Sequence, residues 1–287
     1  VKSMRELGLR APDKMPKVSE KVLEIIKAAE TLNDNGFLYE LNGDWYFDCT
    51  KVTGELPDLK IPDDVLIKIF DSRGGNSKVE SKRDPFDFIV WQKSLDGEPE
   101  FDSKLGKGRP GWHIECSAMS MEYLGETLDI HTGGIDNIFP HHQNEIAQSE
   151  GFTGKTFSKY WMHSYHLMVD GAKMSKSLGN GALVSEVVQR YPARAVRFYL
   201  VQPHYRSAVE FSDASLAEAT AALARIDGFV DRAIGLVGRP GRTVVPDTFA
   251  AAMDDDLGTP GAVAVMYRAV RDGNTAVAGN DLETVRY

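Results

Sequence analysis

The order of predicted strands and helices across residues 111–180 constrains the fold more than any other feature of the sequence. A short strand is predicted at Thr127–His131, and it runs into the glycines of HTGG at 131–134, with a helix predicted soon afterwards. Doubly wound α/β sheets bind nucleotides where a strand ends in a glycine-rich turn before a helix. We therefore predict an α/β fold of this type, with Gly134 and Asp136 close to a bound nucleotide.

Three residues of this stretch are of the types that bind zinc, namely Cys116, His141 and Glu145. His141 and Glu145 are four positions apart in a predicted helix, so their side chains share one face and can meet at one ion. Cys116 lies near the predicted start of another helix, where a thiolate is favoured. The alternative is that Cys116 is an ordinary buried thiol and that the His/Glu pair belongs to a solvated helix face.

The predicted helix that carries this His/Glu pair begins at Pro140, because proline fits the first helical position. Gly151 is its predicted end. The adjacent His142 points about 100° away around the helix, so it is not chosen as a ligand. Cys49 lies in WYFDCT, which is typical of a β-strand, and it is not counted as a ligand either.

A lysine-rich loop, KMSKSLGN at 173–180, follows a strand predicted at Tyr165–Val169. Glycines at 171 and 179 let such a loop move and approach a ligand closely. Its ammonium groups and hydroxyls can stabilise the charge that develops on a leaving pyrophosphate. The loop therefore predicts an ATP site, with a solvated basic turn as the alternative. The residues concerned are Lys173, Ser175, Lys176 and Ser177.

The remaining elements are predicted from hydrophobic periodicity and from turn and cap residues. They are a helix from Ser19 to Asn33, a hairpin between Phe37 and Cys49, a strand at Phe86–Trp91, and helices that begin at Ser185, Pro192, Ser212 and Thr259. We expect a domain at 1–205, with a surface insertion at about 50–80, and a helical region at 206–287.

Six segments of the chain resemble the class I cysteinyl-tRNA synthetases (cysteine–tRNA ligases). They are KRDPFDFIVW at 82–91, GRPGWHIECSAM at 108–119, FPHHQNEIAQS at 139–149, YWMH at 160–163, KMSKSLGN at 173–180 and HYRSAVEFSD at 204–213. The resemblance covers nearly the whole chain and is weakest in the 50s to 70s. It implies a Rossmann-like catalytic domain with a doubly wound parallel sheet, followed by a helical bundle region that packs against the tRNA.

The chain departs from that family at one point. Family members carry, upstream, a first strand, another zinc cysteine and the HIGH motif that grips ATP, and no segment of this sequence matches HIGH. We therefore expect a sequence that starts partway through the catalytic domain, either as a fragment or with the other half supplied elsewhere.

The resemblance implies a two-step reaction. Cysteine attacks the α-phosphate of ATP, bound with Mg²⁺, to form cysteinyl-adenylate, and the acyl group then passes to tRNA(Cys). Zinc would accept the substrate thiolate and so reject serine, whereas a pocket selecting by size alone discriminates only about 10–200-fold. Lys176, helped by Lys173, would neutralise the pyrophosphate. By the same resemblance Trp112 lies beside the cysteine substrate, and His113 and His163 shape its pocket.

Composition bounds the location and the partners. The chain has 42% hydrophobic residues, enough for a core, and no apolar run long enough for a membrane span. Its two cysteines in separate contexts suit a reducing cytosol, and no signal peptide opens the sequence. The net charge of −9 argues against a general nucleic-acid binder but leaves room for a local basic face. We expect a cytoplasmic monomer without a membrane partner.

Two other functions remain open. The ligases that join cysteine to an amino sugar in mycothiol synthesis look similar and share the zinc and KMSKS features, although the helical region after 205 and HYRSAVEFSD favour tRNA. The second alternative is a truncated, non-catalytic paralogue that binds zinc or a partner. The missing HIGH segment supports this alternative.

Overall fold

A computed structural model describes residues 2–52, 61–175, 179–239 and 244–286. The chain divides into two compact units. The central unit is Asp13–His163, and the terminal unit joins Val1–Pro12 to Ser164–Tyr287. Within the described ranges, no helix is both long and apolar enough to cross a lipid bilayer.

The central unit contains a four-stranded antiparallel sheet in the order β1-β2-β3-β4, a two-stranded sheet of β5 and β6, and four helices among its described residues. Along the chain the elements are α2 (Val22–Asp34), β1 (Leu38–Leu41), β2 (Asp44–Phe47), α3 (Asp63–Ser72), β3 (Phe88–Gln92), β4 (Arg109–Pro110), α4 (Trp112–Leu124), β5 (Leu128–Gly134), α5 (Gln143–Thr153) and β6 (Ser158–Ser164). A preceding five-residue helix, α1 (Lys2–Glu6), belongs to the terminal unit.

The predicted hairpin is confirmed. Asn42 and Gly43 have φ values of 59° and 90°, the left-handed conformation that a two-residue hairpin turn requires. The strand nevertheless ends at Phe47, so the prediction that Cys49 lies in it was wrong. Asp48 accepts a hydrogen bond from the Thr50 N–H and turns the chain into a short 3₁₀ helix that Cys49 begins.

Aromatic rings form the centre of the central unit's core. Phe47 is fully buried and stacks between Phe37 and Phe88, with ring centroids 5.5 and 5.1 Å apart. The apolar face of α2 supplies the aliphatic part of the core, including Ile25 and Leu32. Stacked rings of this kind add about 0.5–1.5 kcal/mol per pair beyond the area they bury.

Part of the expected insertion at about 50–80 has a defined structure. Residues 61–80 are mostly exposed and include α3, whereas 53–60 lie outside the described residues. Phe70 anchors α3, because its ring is only 1% exposed and packs edge-to-face on Phe86. Phe70 is therefore the buried anchor of this helix.

The terminal unit combines a small sheet with helices. Its strands are β7 (Leu167–Val169), β8 (Ala172–Lys173) and β9 (Val209–Glu210), in the order β8-β7-β9, with β7 antiparallel to β8 and parallel to β9. The helices after β8 are α6 (Val184–Arg190), α7 (Ala193–Val201), α8 (Asp213–Val237), α9 (Asp247–Asp254), α10 (Thr259–Ala278) and α11 (Leu282–Arg286).

Two of the predicted helix caps were wrong, one by two residues and the other by one. Leu183, not Ser185, precedes α6, and Gly258, not Thr259, is the cap of α10. The predicted start of a helix at Ser212 is confirmed: Ser212 caps α8, and its hydroxyl accepts a hydrogen bond from the Ser215 N–H. Polar residues near the start of a helix show that a helix is present, but they do not identify its first residue as reliably.

Candidate metal centre and active site

A glycine fixes where α4 begins. The N–H of Gly111 donates to the carbonyl of Val90 at 2.9 Å, and a Cβ at this position would lie 2.2 Å from the carbonyl oxygen of Ile89. Only glycine lets the backbone pass β3 this closely. The close approach sets the position of Trp112, His113 and Cys116, which follow in the first turns of α4.

The three predicted metal ligands converge. One ligand atom from each of Cys116, His141 and Glu145 lies within 4.8 Å of the other two. Cys116 comes from α4, Glu145 from α5, and His141 from the turn Ile138–His142 that precedes α5. His141 Nε2 is 2.8 Å from Glu145 Oε1, as their predicted spacing of four requires.

The predicted bounds of this helix were wrong at both ends. Pro140 follows a cis peptide bond within the irregular turn Ile138–His142, and α5 itself begins at Gln143. The helix passes through Gly151 and ends at Thr153, with Gly154 in the left-handed conformation. Gly151 has a packing role instead, because a Cβ there would lie 3.3 Å from the ring of Phe37.

Glu145 is a buried carboxylate that lacks a regular donor. Its two oxygens lie 2.8 and 2.9 Å from ring nitrogens of His141 and His131, yet neither oxygen receives a hydrogen bond of good geometry. Burial raises the pKa of Glu145, but the two imidazoles outweigh burial and lower it to about 2. The side chain is therefore an anion held in the interior.

Cys116 is a thiol in the metal-free chain, not the thiolate that its helix position predicted. Burial, together with the neighbouring carboxylate of Glu145, raises its pKa to about 12. Cys116 is the fifth residue of α4, beyond the N–H groups that would favour an anion. The effects of the carboxylate and of burial on the pKa are larger than the effect of the helix N-terminus. A cation would therefore be needed to stabilise the thiolate.

Aromatic rings cover one side of this cluster. Trp112 stacks on His141 with centroids 4.1 Å apart and is 53% exposed. His113 Nδ1 is 2.7 Å from His141 Nδ1, so one ring must donate to the other. Burial, with His141 nearby, lowers the pKa of His113 to about 3 and keeps it neutral. A cavity of about 180 Å³ borders both Trp112 and His113.

A second cluster shares Glu145. Ligand atoms of His131, His142 and Glu145 also lie within 4.8 Å of one another. His142 had been excluded by its direction around a regular helix, but it precedes α5 and turns toward β5. Gly133 makes room for it, because a Cβ there would lie 2.5 Å from the His142 ring. The HTGG segment was the available signal for this contact.

His163 belongs to this second cluster. Its Nε2 lies 2.8 Å from His142 Nδ1, and its ring stacks on Trp161. Gly134 precedes a 3₁₀ turn, Ile135–Asn137, that contains Asp136. The guanidinium of Arg73, the residue that follows α3, donates to the carbonyl of Asp136, so the end of that helix is tied to this turn.

The first cluster fits a zinc ion. Thiolate, imidazole and carboxylate are all zinc ligands. A buried anionic carboxylate without a regular hydrogen bond is also a group that a cation would stabilise.

The lysine-rich loop lies in the terminal unit. Lys173 ends β8, and Lys176 and Ser177 lie outside the described residues. The amide of Asn180 joins the two sides of the loop: its Oδ1 accepts from the Ser175 N–H at 2.8 Å, and its Nδ2 donates to the Lys173 carbonyl at 3.2 Å. The loop is therefore closed at its base.

Family models match most of the chain. The model described as the class I (C) catalytic domain of tRNA synthetases matches residues 1–221, and the model described as the DALR domain matches residues 248–287.

Curated relatives are similar over nearly all of this sequence. A "Cysteine--tRNA ligase" of Streptomyces coelicolor is 45% identical over 284 residues, which cover 96% of this chain and 44% of the relative. Proteins of the same name from Carboxydothermus hydrogenoformans and Cutibacterium acnes are 43% and 45% identical; the matches cover 98% and 99% of this chain, and 62% and 59% of those relatives. The chain thus spans about half the length of the curated relatives it matches.

A solved structure has the same fold. Mycobacterium tuberculosis methionyl-tRNA synthetase in complex with methionyl-adenylate superposes with a TM-score of 0.68 at 12% identity, covering 99% of this chain and 72% of that chain. The predicted class I synthetase α/β catalytic fold followed by a helical region is confirmed, although the four-stranded sheet among the described residues is antiparallel. The chain belongs to the class I tRNA synthetases, with most of its length in the class I (C) catalytic domain.

Proposed function

We propose that this protein is a cysteine–tRNA ligase, which activates cysteine with ATP and transfers the cysteinyl group to tRNA(Cys). The observation that carries the proposal is the convergence of Cys116, His141 and Glu145 beside a half-exposed tryptophan. The names of the relatives, at 43–45% identity over nearly the whole chain, point to the same substrate.

Zinc is the proposed cofactor, held by Cys116, His141 and Glu145. When bound, zinc would act as a Lewis acid toward the thiolate of the substrate cysteine. Serine would be rejected because its hydroxyl is a much poorer zinc ligand. Trp112, which stacks on His141, would lie beside the substrate cysteine. His113 would not bind the ion itself; through its contact with Nδ1 of His141 it would fix which nitrogen of His141 carries the proton.

The lysine-rich loop is the proposed phosphate site, for ATP bound with Mg²⁺. Lys173 and Lys176 would neutralise the pyrophosphate as it leaves, and the hydroxyls of Ser175 and Ser177 would donate to it. The resemblance of the sequence assigns Gly134 and Asp136 to the nucleotide, and His163 to the substrate pocket. We also propose that the ligase works as a cytoplasmic monomer, and its two free thiols suit that compartment.

Exchange of labelled pyrophosphate into ATP tests the proposal. Exchange is expected to depend on cysteine and on bound zinc, and serine should support it at least about 10³-fold less well than cysteine, beyond what a size-selective pocket achieves. Adding tRNA(Cys) or an amino sugar to the loaded enzyme then identifies the acceptor. Exchange with serine at a similar rate would contradict the role of zinc, and acylation of the amino sugar alone would contradict the acceptor.

Replacing His113 by alanine is expected to weaken zinc binding by about 10–100-fold, the usual cost of losing a residue that orients a histidine ligand. The reason is that His141 would lose the partner of its Nδ1. Competition with a chelator of known affinity measures the change. Tyr123→Ala is the matched control, because this residue lies on the same helix but contacts Lys21 instead. Equal affinity in the two variants would exclude an orienting role for His113.

A further inference from the structure

The turn between α9 and α10 is tied to the segment 203–206 through one carboxylate. Asp256 Oδ1 accepts a hydrogen bond from the Tyr205 hydroxyl at 2.6 Å, and Oδ2 accepts one from Arg206 Nε at 2.7 Å. Its backbone carbonyl accepts from His204 Nε2 at 2.8 Å. The four residues His204, Tyr205, Arg206 and Asp256 are called the Asp256 cluster below.

The backbone of this turn has an unusual conformation. Asp256 and Leu257 have φ values of 49° and 54°, in the left-handed region that residues other than glycine rarely occupy. At Gly258 a Cβ would lie 2.5 Å from the carbonyl oxygen of Ala252. Such backbone persists where surrounding contacts over-determine it. Here they include the contacts that Asp256 makes with 204–206 and backbone hydrogen bonds within the turn, such as that from the Leu257 N–H to the Met253 carbonyl.

The segment that the cluster holds continues directly into the small sheet. The Tyr165 N–H donates to the carbonyl of Tyr205 at 2.8 Å, and the Phe211 N–H donates to that of Met168 at 2.7 Å. Between these bonds, β9 pairs with β7 in parallel, with Met168 opposite Glu210. Residues 205–211 therefore form one edge of β7.

The other edge of β7 carries the lysine-rich loop. Met168 lies opposite Lys173, and the Met174 N–H donates to the carbonyl of Leu167 at 2.8 Å. Because β7 has only three residues, few bonds keep it in place, and each edge depends on the other. A short series of backbone hydrogen bonds thus joins the Asp256 cluster to Lys173.

We propose that Asp256 is a positioning residue for the lysine-rich loop: it anchors 204–206, which fixes β9 and β7 and so the strand that ends in Lys173. The relevance of this anchor to ATP rests on the proposed function. The guanidinium of Arg206 lowers the pKa of Asp256, so its anchoring bonds are those of an ionised carboxylate.

Amide hydrogen exchange of the whole chain, with Asp256→Asn compared with the unchanged protein, tests the positioning. Losing the charge-assisted bonds at this exposed site is expected to speed exchange of the Tyr165, Phe211 and Met174 amides by about 10-fold. Tyr205→Phe, which removes one hydroxyl only, should give a smaller change at the same amides.

Asp227→Asn is the matched control. It breaks an exposed ion pair of similar length in the same unit, Arg194–Asp227 at 2.6 Å, which lies between α7 and α8. The three amides should exchange as in the unchanged protein. If Asp256→Asn speeds exchange only in α9 and α10 and leaves Met174 unaffected, or if the control changes Met174 equally, the proposal is wrong.

The kinetic consequence separates this proposal from the proposed function. In pyrophosphate exchange, Asp256→Asn is expected to raise the KM for ATP several-fold and to leave the KM for cysteine unchanged, because only the phosphate loop is disturbed. Equal rises in both KM values would overturn the link to the loop. Hydrogen exchange is measured without ATP, so it decides the positioning even if the protein fails to activate cysteine.

Discussion

Replacing Cys116 by serine is expected to remove zinc and cysteine activation together. A hydroxyl is a poor zinc ligand, and the remaining imidazole and carboxylate offer only two protein donors. Zinc affinity should fall by more than about 100-fold, beyond the loss expected for an outer residue such as His113. Metal analysis after dialysis should then give almost no zinc per chain, and cysteine-dependent pyrophosphate exchange should be lost in parallel.

Cys49→Ser is the matched control for this experiment. The Cys49 thiol is partly buried and its sulfur lies 3.4 Å from the carbonyl of Phe86, a contact that a serine hydroxyl can also make. Burial raises its pKa well above the usual range, as expected for a structural cysteine. Zinc content and exchange activity should be unchanged. Full zinc occupancy in Cys116→Ser would show that the ion lies elsewhere.

Replacing Phe47 by alanine is expected to lower the free energy of unfolding of the central unit by about 3–5 kcal/mol. The ring is fully buried between Phe37 and Phe88, so its removal leaves a cavity and breaks two stacking contacts. Phe88 also packs edge-to-face on His113, so the defect borders the metal centre. Urea unfolding followed by tryptophan fluorescence measures the loss.

Leu95→Ala provides the comparison for this core substitution. Leu95 is 71% exposed, and exposed substitutions of this kind usually stay within about 0.5 kcal/mol. If Phe47→Ala costs no more than Leu95→Ala, the aromatic stack does not hold the core as described.

The sequence predicted that the side chains of His141 and Glu145 would meet, because that part of the geometry is local. The spacing of His141 and Glu145 fixes their shared direction, and the irregular turn before α5 leaves that relation intact. Cys116 could be chosen as a candidate ligand only because cysteine is a residue type that binds zinc. Its distance from His141 and Glu145 depends on how α4 packs against α5. The fold class was indicated by the strand, glycine turn and helix of the same stretch, together with the resemblance of six segments to the class I cysteinyl-tRNA synthetases.

Other parts of the centre depend on contacts that spacing does not encode. The place of His142 beside His131 follows from the irregular turn Ile138–His142 and from the room left at Gly133. The high pKa of Cys116 likewise comes from Glu145 on another helix. Such effects arise from tertiary packing, whereas sequence periodicity reports only the local direction of a side chain.

The division of the chain into units has a consequence for its synthesis. Leu7 is buried in the terminal unit's core with residues of α6, α7 and α8, and Arg197 donates to the carbonyl of Gly8. All of Asp13–His163 is translated between these partners. On the ribosome, the central unit emerges before α6, α7 and α8, so Leu7, which follows the first helix, stays unburied until the second half of its own unit has been made. Early release of the nascent chain would leave that apolar surface exposed, so a chaperone that shields residues 2–9 during translation would favour correct assembly.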